Sequence, residues 1–157
     1  MTVTQTVFAT LPYPDTNALI EAPVLTHQTV KDKILVLEDE DFLRNMFQMM
    51  LERFGYEAVC VREGSEVAAA YEVASHLGIP FTALLLDVNN RFGMGAEETM
   101  ACLLNLDPNV KAIVCSADYH HPVMKNYKAY GFTAKLEKPF SRKELIATLD
   151  QIKHPCG

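Results

Sequence analysis

Residues 38–41 are Glu38, Asp39, Glu40 and Asp41, four acids in succession directly after the aliphatic run "ILVL". Like charges crowded at the end of a strand repel one another, so the placement asks for a positive partner. Three more chemistry-bearing residues close apolar runs in the same way. Asp87 follows "FTALLL", Ser116 follows "VKAIVC", and Lys138, with Pro139 behind it, follows "FTAKLE". Carboxylates are hard oxygen ligands suited to Mg²⁺, an ion that keeps several waters and takes few protein ligands. A carboxylate can also attack phosphorus to form an aspartyl-phosphate. A divalent cation would then neutralise the transferring group, while a hydroxyl and an ammonium contact its oxygens. Together the residues spell a metal-assisted phosphoryl site in which Glu38 and Asp39 hold the cation.

Taken singly, each residue has a plainer reading. Glu40 and Asp41 are acids at a helix start, favoured by the helix dipole. Asp39 alone would serve as an N-cap, Asp87 as a turn residue and Lys138 as a solvated charge. The specific signal is that all of them stand at successive strand ends. In open α/β sheets that rim is where sites form.

The elements that must position them are legible in the apolar periodicity from Lys33 onward. "KILVLE" reads as a strand, and "DFLRNMFQMMLERFG" as a helix carrying Phe42, Leu43, Met46, Phe47, Met50, Leu51 and Phe54 at helical spacing, stopped by Gly55. "YEAVCV" is a second strand and "GSEVAAAYEVASHLG" a second helix. "FTALLLD", "GAEETMACLLNL" and "VKAIVCS" follow as strand, helix and strand. "PVMKNYKAYG" reads as a short helix over 122–131, "FTAKLEKP" as the fifth strand and "SRKELIATLDQI" as the last helix, with Ser141 and Glu144 in a capping-box pattern. Five strands alternating with five helices predict an α/β fold, a parallel sheet covered by helices on both faces. The near-continuous apolar strands at 34–37, 83–86 and 112–115 belong in its middle. The alternating strand near 134–137 suits an edge.

Residues 1–31 differ: they are Thr-rich, contain Pro12, Pro14 and Pro23, and show no sustained periodicity, which predicts an extended arm or linker. Val7, Phe8, Leu11, Leu19, Ile20, Val24 and Leu25 give that arm apolar residues able to dock. Residues 32–153 are expected to form the domain and 154–157 a tail. With 157 residues, 49% hydrophobic and 22% charged, the chain has the composition of one globular domain. Its net charge of −6 argues against nucleic acid or an anionic membrane as partner. There is no apolar run long enough to span a membrane and no signal-peptide pattern, which predicts a cytoplasmic protein. Cys60, Cys102, Cys115 and Cys156 lack zinc or C-x-x-C spacing, and three lie in apolar segments, so free buried thiols are expected.

At this point residues 33–153 resemble a response-regulator receiver domain of two-component signalling. That pattern is an acidic pair after strand one, an Asp after strand three, Ser or Thr with a small residue after strand four, and Lys-Pro after strand five. Here it reads "VLEDE", "LLLDVN", "VCSA" and "LEKPF". The stretch "GMGAEETMACLLNLDPNVKAIVCSADYHHPVMKNYKAYGF" is similar to receivers attached to hybrid sensor histidine kinases. The resemblance implies a flavodoxin-like strand order 2-1-3-4-5, Asp87 as phosphoacceptor, and Mg²⁺ held by Glu38, Asp39, Asp87 and the backbone carbonyl of Asn89. It further implies that Ser116 hydrogen-bonds the phosphoryl group and Lys138 pairs with it. The phosphoryl donor would be a histidine kinase or a histidine phosphotransfer protein, the chain would be a signalling domain rather than an enzyme, and a homodimer would be an optional assembly.

Two other roles for the same domain stay open, as the receiver portion of a hybrid kinase and as an interaction module independent of phosphorylation. An aspartyl-nucleophile phosphatase would need a general acid two residues after Asp87, where Asn89 stands. A flavodoxin-like cofactor carrier would need a phosphate loop where the four acids are. The sequence also departs from the receiver pattern. The loop after Asp87 reads Asn90, Arg91, Phe92, Gly93 where a proline and paired glycines are usual, and Lys135 stands where many receivers carry an aromatic switch.

Overall fold

The computed structural model describes residues 2–4, 27–29 and 31–154. Two compact units are present, residues 1–31 and residues 32–157. In the first, β1 (Thr2–Thr4) pairs antiparallel with β2 (His27–Thr29), Val3 facing Gln28. Part of the segment expected to be an extended arm is therefore a short two-stranded ribbon. The apolar residues Val7, Phe8, Leu11, Leu19, Ile20, Val24 and Leu25, and positions 155–157 of the tail, lie outside the described residues.

The second unit runs β3 (Lys33–Leu37), α1 (Asp41–Arg53), β4 (Glu57–Val61), α2 (Gly64–His76), β5 (Ala83–Asp87), α3 (Ala96–Leu106), β6 (Ala112–Ser116), α4 (Pro122–Lys125), β7 (Ala134–Glu137) and α5 (Arg142–Lys153). Its five strands are parallel in the order β4-β3-β5-β6-β7, the 2-1-3-4-5 order expected. The strands alternate their side chains between two apolar layers, as the two-residue period of a strand requires. Leu35, Leu37, Leu84, Leu86 and Val114 face α2 and α3 through Val67, Met100 and Leu103. Ile34, Val36, Leu85, Ile113 and Cys115 face α1 and α5 through Phe47, Leu51, Leu145 and Leu149. The three central strands are the three all-apolar runs, and β7, as expected, is an edge, with β4 the other.

Helix starts follow local chemistry. Ser141 and Glu144 close the expected capping box of α5, and Glu63 with Glu66 forms a second one at α2 that the sequence pattern of Ser or Thr followed by Glu does not reveal. The expected helix over 122–131 is broken. Asn126 leaves the helical region at φ −125° and ψ 34°, ending α4 after Lys125, and a 3₁₀ turn over Tyr127–Tyr130 follows. Asparagine competes for backbone hydrogen bonds and is a poor helix interior residue. Gly131, at φ +90°, then turns the chain into β7.

Not all the apolar spacing of α1 is spent on the core. Phe47 and Leu51 are buried, whereas Phe42 is 72% and Met49 73% exposed. Cys60, Cys102 and Cys115 are free thiols; Cys115 is buried, and burial pushes the Cys60 thiol up to about 11. Cys156 is outside the described residues. Among the described residues no helix is long and apolar enough to cross a membrane.

Gly64, the first residue of α2, is a close-approach position. A Cβ there would stand 1.8 Å from Thr99 Oγ1 and 2.6 Å from the Met94 carbonyl oxygen, and its N–H already donates to that carbonyl at 3.1 Å. The clash involves backbone, which cannot swing aside. Gly64→Ala is expected to destabilise the domain by about 1–3 kcal/mol, the usual range for overpacking. Urea denaturation checks this, and an unchanged midpoint would contradict the packing described.

Candidate functional site

The strand order reverses beside β3. The chain leaves β3 for β4 on one side and returns for β5 on the other, so the carboxyl ends of β3 and β5 border the crevice in which open α/β sheets place ligands. Glu38 and Asp39 follow β3, and Asp87 ends β5, with Leu37 registered against Leu86. Ser116 ends β6 and Lys138 follows β7. The parallel topology therefore gathers onto one rim residues that lie as much as 100 positions apart.

Lys138 is the hub. Its Nζ donates to Glu38 Oε2 and to Asp87 Oδ2, both at 2.8 Å, and lies 5.8 Å from the centroid of the Phe47 ring. The Glu38 side chain is 1% exposed and that of Asp87 6%. Burying two such carboxylates side by side would be untenable without a cation. Burial works against the ammonium too, but its hydrogen bonds to Asp87 and Glu38 outweigh this and raise its pKa above the usual lysine range. For Glu38 the balance goes the other way. Burial pushes its carboxyl above the usual range despite the pull of Lys138, with the charge of Asp87 adding to the push.

Further contacts shape the rim. The N–H of Glu40 donates to Glu38 Oε1 at 3.2 Å, and the N–H of Asn89 to Asp87 Oδ1 at 3.1 Å. Asp39 takes a hydrogen bond at its Oδ2 from the N–H of Arg91, 3.2 Å away. Ser116 is fully buried, and its Oγ accepts from the N–H of Asp118 at 3.0 Å and from the Asn89 side-chain amide at 3.5 Å. Glu40 and Asp41 sit at the start of α1, as N-cap and first residue, and point their chemistry elsewhere. Asp41 forms ion pairs with Arg44 and Arg62, which hold its carboxyl below the usual range.

Glu38, Asp39 and Asp87 each offer an oxygen within 4.8 Å of the others. Three carboxylates with one ammonium leave a formal charge of −2, which one divalent cation balances. The donors are hard oxygens, as Mg²⁺ requires. The residues present fit that ion.

Sequence reasoning missed Arg44, whose Nη1 donates to the carbonyls of both Glu38 and Asp39 at 3.0 Å and so fixes the acid pair's backbone. Its one available signal was the i, i+3 spacing from Asp41 on a helix. The Arg91 contact had no signal, since a backbone donor carries no residue identity.

Comparison with known proteins supports the fold. No family model matches the chain. The chemotaxis protein CheY of Thermotoga maritima is 23% identical over 120 residues, covering 76% of this chain and 96% of that protein. The receiver domain of a sensor histidine kinase of Pseudomonas aeruginosa, whose crystal structure has a magnesium ion coordinated in its active-site cleft, superposes with a TM-score of 0.70 at 21% identity, over 79% of this chain and 98% of that one. The chemotaxis protein CheY4 of Vibrio cholerae gives 0.70 at 24% identity, over 78% and 99%. The second unit has the receiver fold.

Lys138→Met would leave Glu38 and Asp87 facing each other with no cation between them. It is expected to cost about 3 kcal/mol, typical of breaking a buried pair from one side. Urea denaturation in EDTA measures it. A wild-type midpoint would mean that the two acids are not held by this ammonium.

Proposed function

We propose that this chain is a phospho-accepting receiver of two-component signalling, with Asp87 taking a phosphoryl group from a phosphohistidine partner. The observation that carries the reading is the placement of Asp87 on Lys138, beside a second and third acid, at the switch point of a receiver-type sheet. In the transfer, a carboxylate oxygen of Asp87 attacks phosphorus, the phosphorus–nitrogen bond of the donor breaks, and the electron pair leaves with the imidazole. The ammonium of Lys138 already sits on the nucleophile and there meets a phosphoryl oxygen as charge builds on it. The Ser116 hydroxyl, which accepts two hydrogen bonds, keeps its own proton to donate to another phosphoryl oxygen. Glu38, Asp39, Asp87 and the Asn89 carbonyl would hold Mg²⁺, which when bound would supply charge neutralisation for the phosphoryl oxygens. The chain modifies only itself and passes the signal on through binding.

The donor's identity is narrowed by a groove of about 650 Å³ beside the rim. Phe42, Met46 and Met49 of α1 line it with Phe140, and so do Arg53 and Arg142. Phe140 follows directly on Lys138 and Pro139, and its ring lies 5.8 Å from that of Phe47. A protein that brings a phosphohistidine to Asp87 covers this face as it arrives, so the exposed apolar stripe of α1 fits a helical histidine kinase or phosphotransfer protein. The two arginines favour an acidic rim on that partner.

The test uses two donors. With acetyl phosphate and Mg²⁺, the protein is expected to form one acid-stable, base-labile adduct that EDTA prevents and Asp87→Asn abolishes. Met49→Glu should leave that labelling unchanged, because a small donor needs no docking. The same variant should slow transfer from a phosphorylated histidine kinase about tenfold, consistent with losing a central interface anchor. Full labelling of Asp87→Asn would overturn the phosphoacceptor assignment, and unchanged transfer from the protein donor would overturn the docking face.

A further inference from the structure

Asp39 differs from the two acids beside it. Glu38 and Asp87 share the ammonium of Lys138, while Asp39 has no ion pair among the described residues. Its carboxylate is only partly buried and carries the same charge as its neighbours, which push it toward solvent. What meets it is the main chain of the loop after β5, through the N–H of Arg91 at 3.2 Å from Oδ2.

That loop is pinned on both sides of Arg91. The Asn90 side chain donates through Nδ2 to the Arg62 carbonyl at 2.6 Å and accepts through Oδ1 from the N–H of Phe92 at 2.9 Å. Beyond it, Gly93 turns the chain at φ +60°, and the Met94 carbonyl takes the Gly64 N–H at 3.1 Å. Arg62 is itself paired with Asp41 at the start of α1. One side chain, Asn90, thus holds the backbone just after position 91 and anchors the loop to the end of β4. The Arg91 guanidinium has no ion pair among the described residues, so the position contributes a backbone donor rather than a charge. Residues 88–95 contain no proline, the one residue that would lack that donor.

We infer that Arg91 is a positioning residue that acts through its backbone N–H, holding the Asp39 carboxylate inward in the orientation a divalent cation needs. The inference rests on the reading of Glu38, Asp39 and Asp87 as the Mg²⁺ site. Before the ion arrives, the N–H offsets part of the charge that Lys138 leaves on Asp39. When it arrives, a carboxylate already in place loses no side-chain freedom, and preorganised ligands bind more tightly for that reason.

Calorimetric titration of Mg²⁺ into the full chain at constant ionic strength tests this. Arg91→Ala keeps the N–H and is expected to bind Mg²⁺ as wild type does. Arg91→Pro removes it and should bind about tenfold more weakly, the low end of what losing a partner to a metal ligand costs. Asn90→Ala, which frees the loop but leaves the N–H in the chain, should weaken binding by a few-fold; it decides the matter where the proline variant fails to fold. Wild-type affinity in both Arg91→Pro and Asn90→Ala overturns the inference, as does an Arg91→Ala affinity as weak as that of the proline variant. Absence of Mg²⁺ binding in the wild-type protein overturns the metal site itself, a separate result.

Discussion

One ammonium group between two buried carboxylates is the contact on which the rest of the site depends. Lys138 sits 2.8 Å from both Glu38 and Asp87, and without it the ends of β3 and β5 would carry unbalanced charge at the place where those two strands pair. A strong electrostatic tie of this kind is the reverse of a stability device in the simple sense. Two apolar residues would fill the space at less cost. It keeps two carboxylates dry and fixed at the rim while leaving a formal charge of −2, which one divalent cation balances. Chemistry, not packing, accounts for it.

The scaffold is organised around that requirement. Apolar strands buried on both faces allow no polar group along their length, so functional groups appear where the strands stop. Parallel pairing brings every stop to one rim. Around the rim, short-range contacts hold the backbone. Arg44 binds the carbonyls of Glu38 and Asp39, and Asn90 fixes the loop after β5 against Arg62. Gly64 allows α2 to approach that same loop more closely than a side chain would permit. The acids are therefore held by covalent neighbours on one side and by the β5–α3 loop on the other.

How much of this could be read before the structure depended on whether the cause was periodic. Five strands and the central place of the all-apolar ones follow from hydrophobic period, their order was implied by the resemblance to receiver domains, and Glu38, Asp39, Asp87, Ser116 and Lys138 were legible as strand ends. What escaped was set by pairwise contacts across the fold. Nothing in the residue order says that Lys138 grips two acids rather than one, or that the third is held by the N–H of Arg91. Asn126 broke a helix that periodicity carried through to 131, because one poor helix former outweighs a pattern in a segment this short. On α1, Phe42 and Met46 stand at helical spacing with Phe47 and Leu51 yet are exposed, since apolar spacing does not distinguish a face that packs inward from one that awaits a partner.

The most direct test of the account is a crystal structure of the protein with Mg²⁺ and beryllofluoride, a mimic of the phosphoryl group. The account predicts beryllium bonded to a carboxylate oxygen of Asp87, one Mg²⁺ among Glu38, Asp39, Asp87 and the Asn89 carbonyl, and Lys138 shifted from Glu38 onto a fluoride. Beryllofluoride on another residue, or Mg²⁺ bound away from these acids, would contradict it.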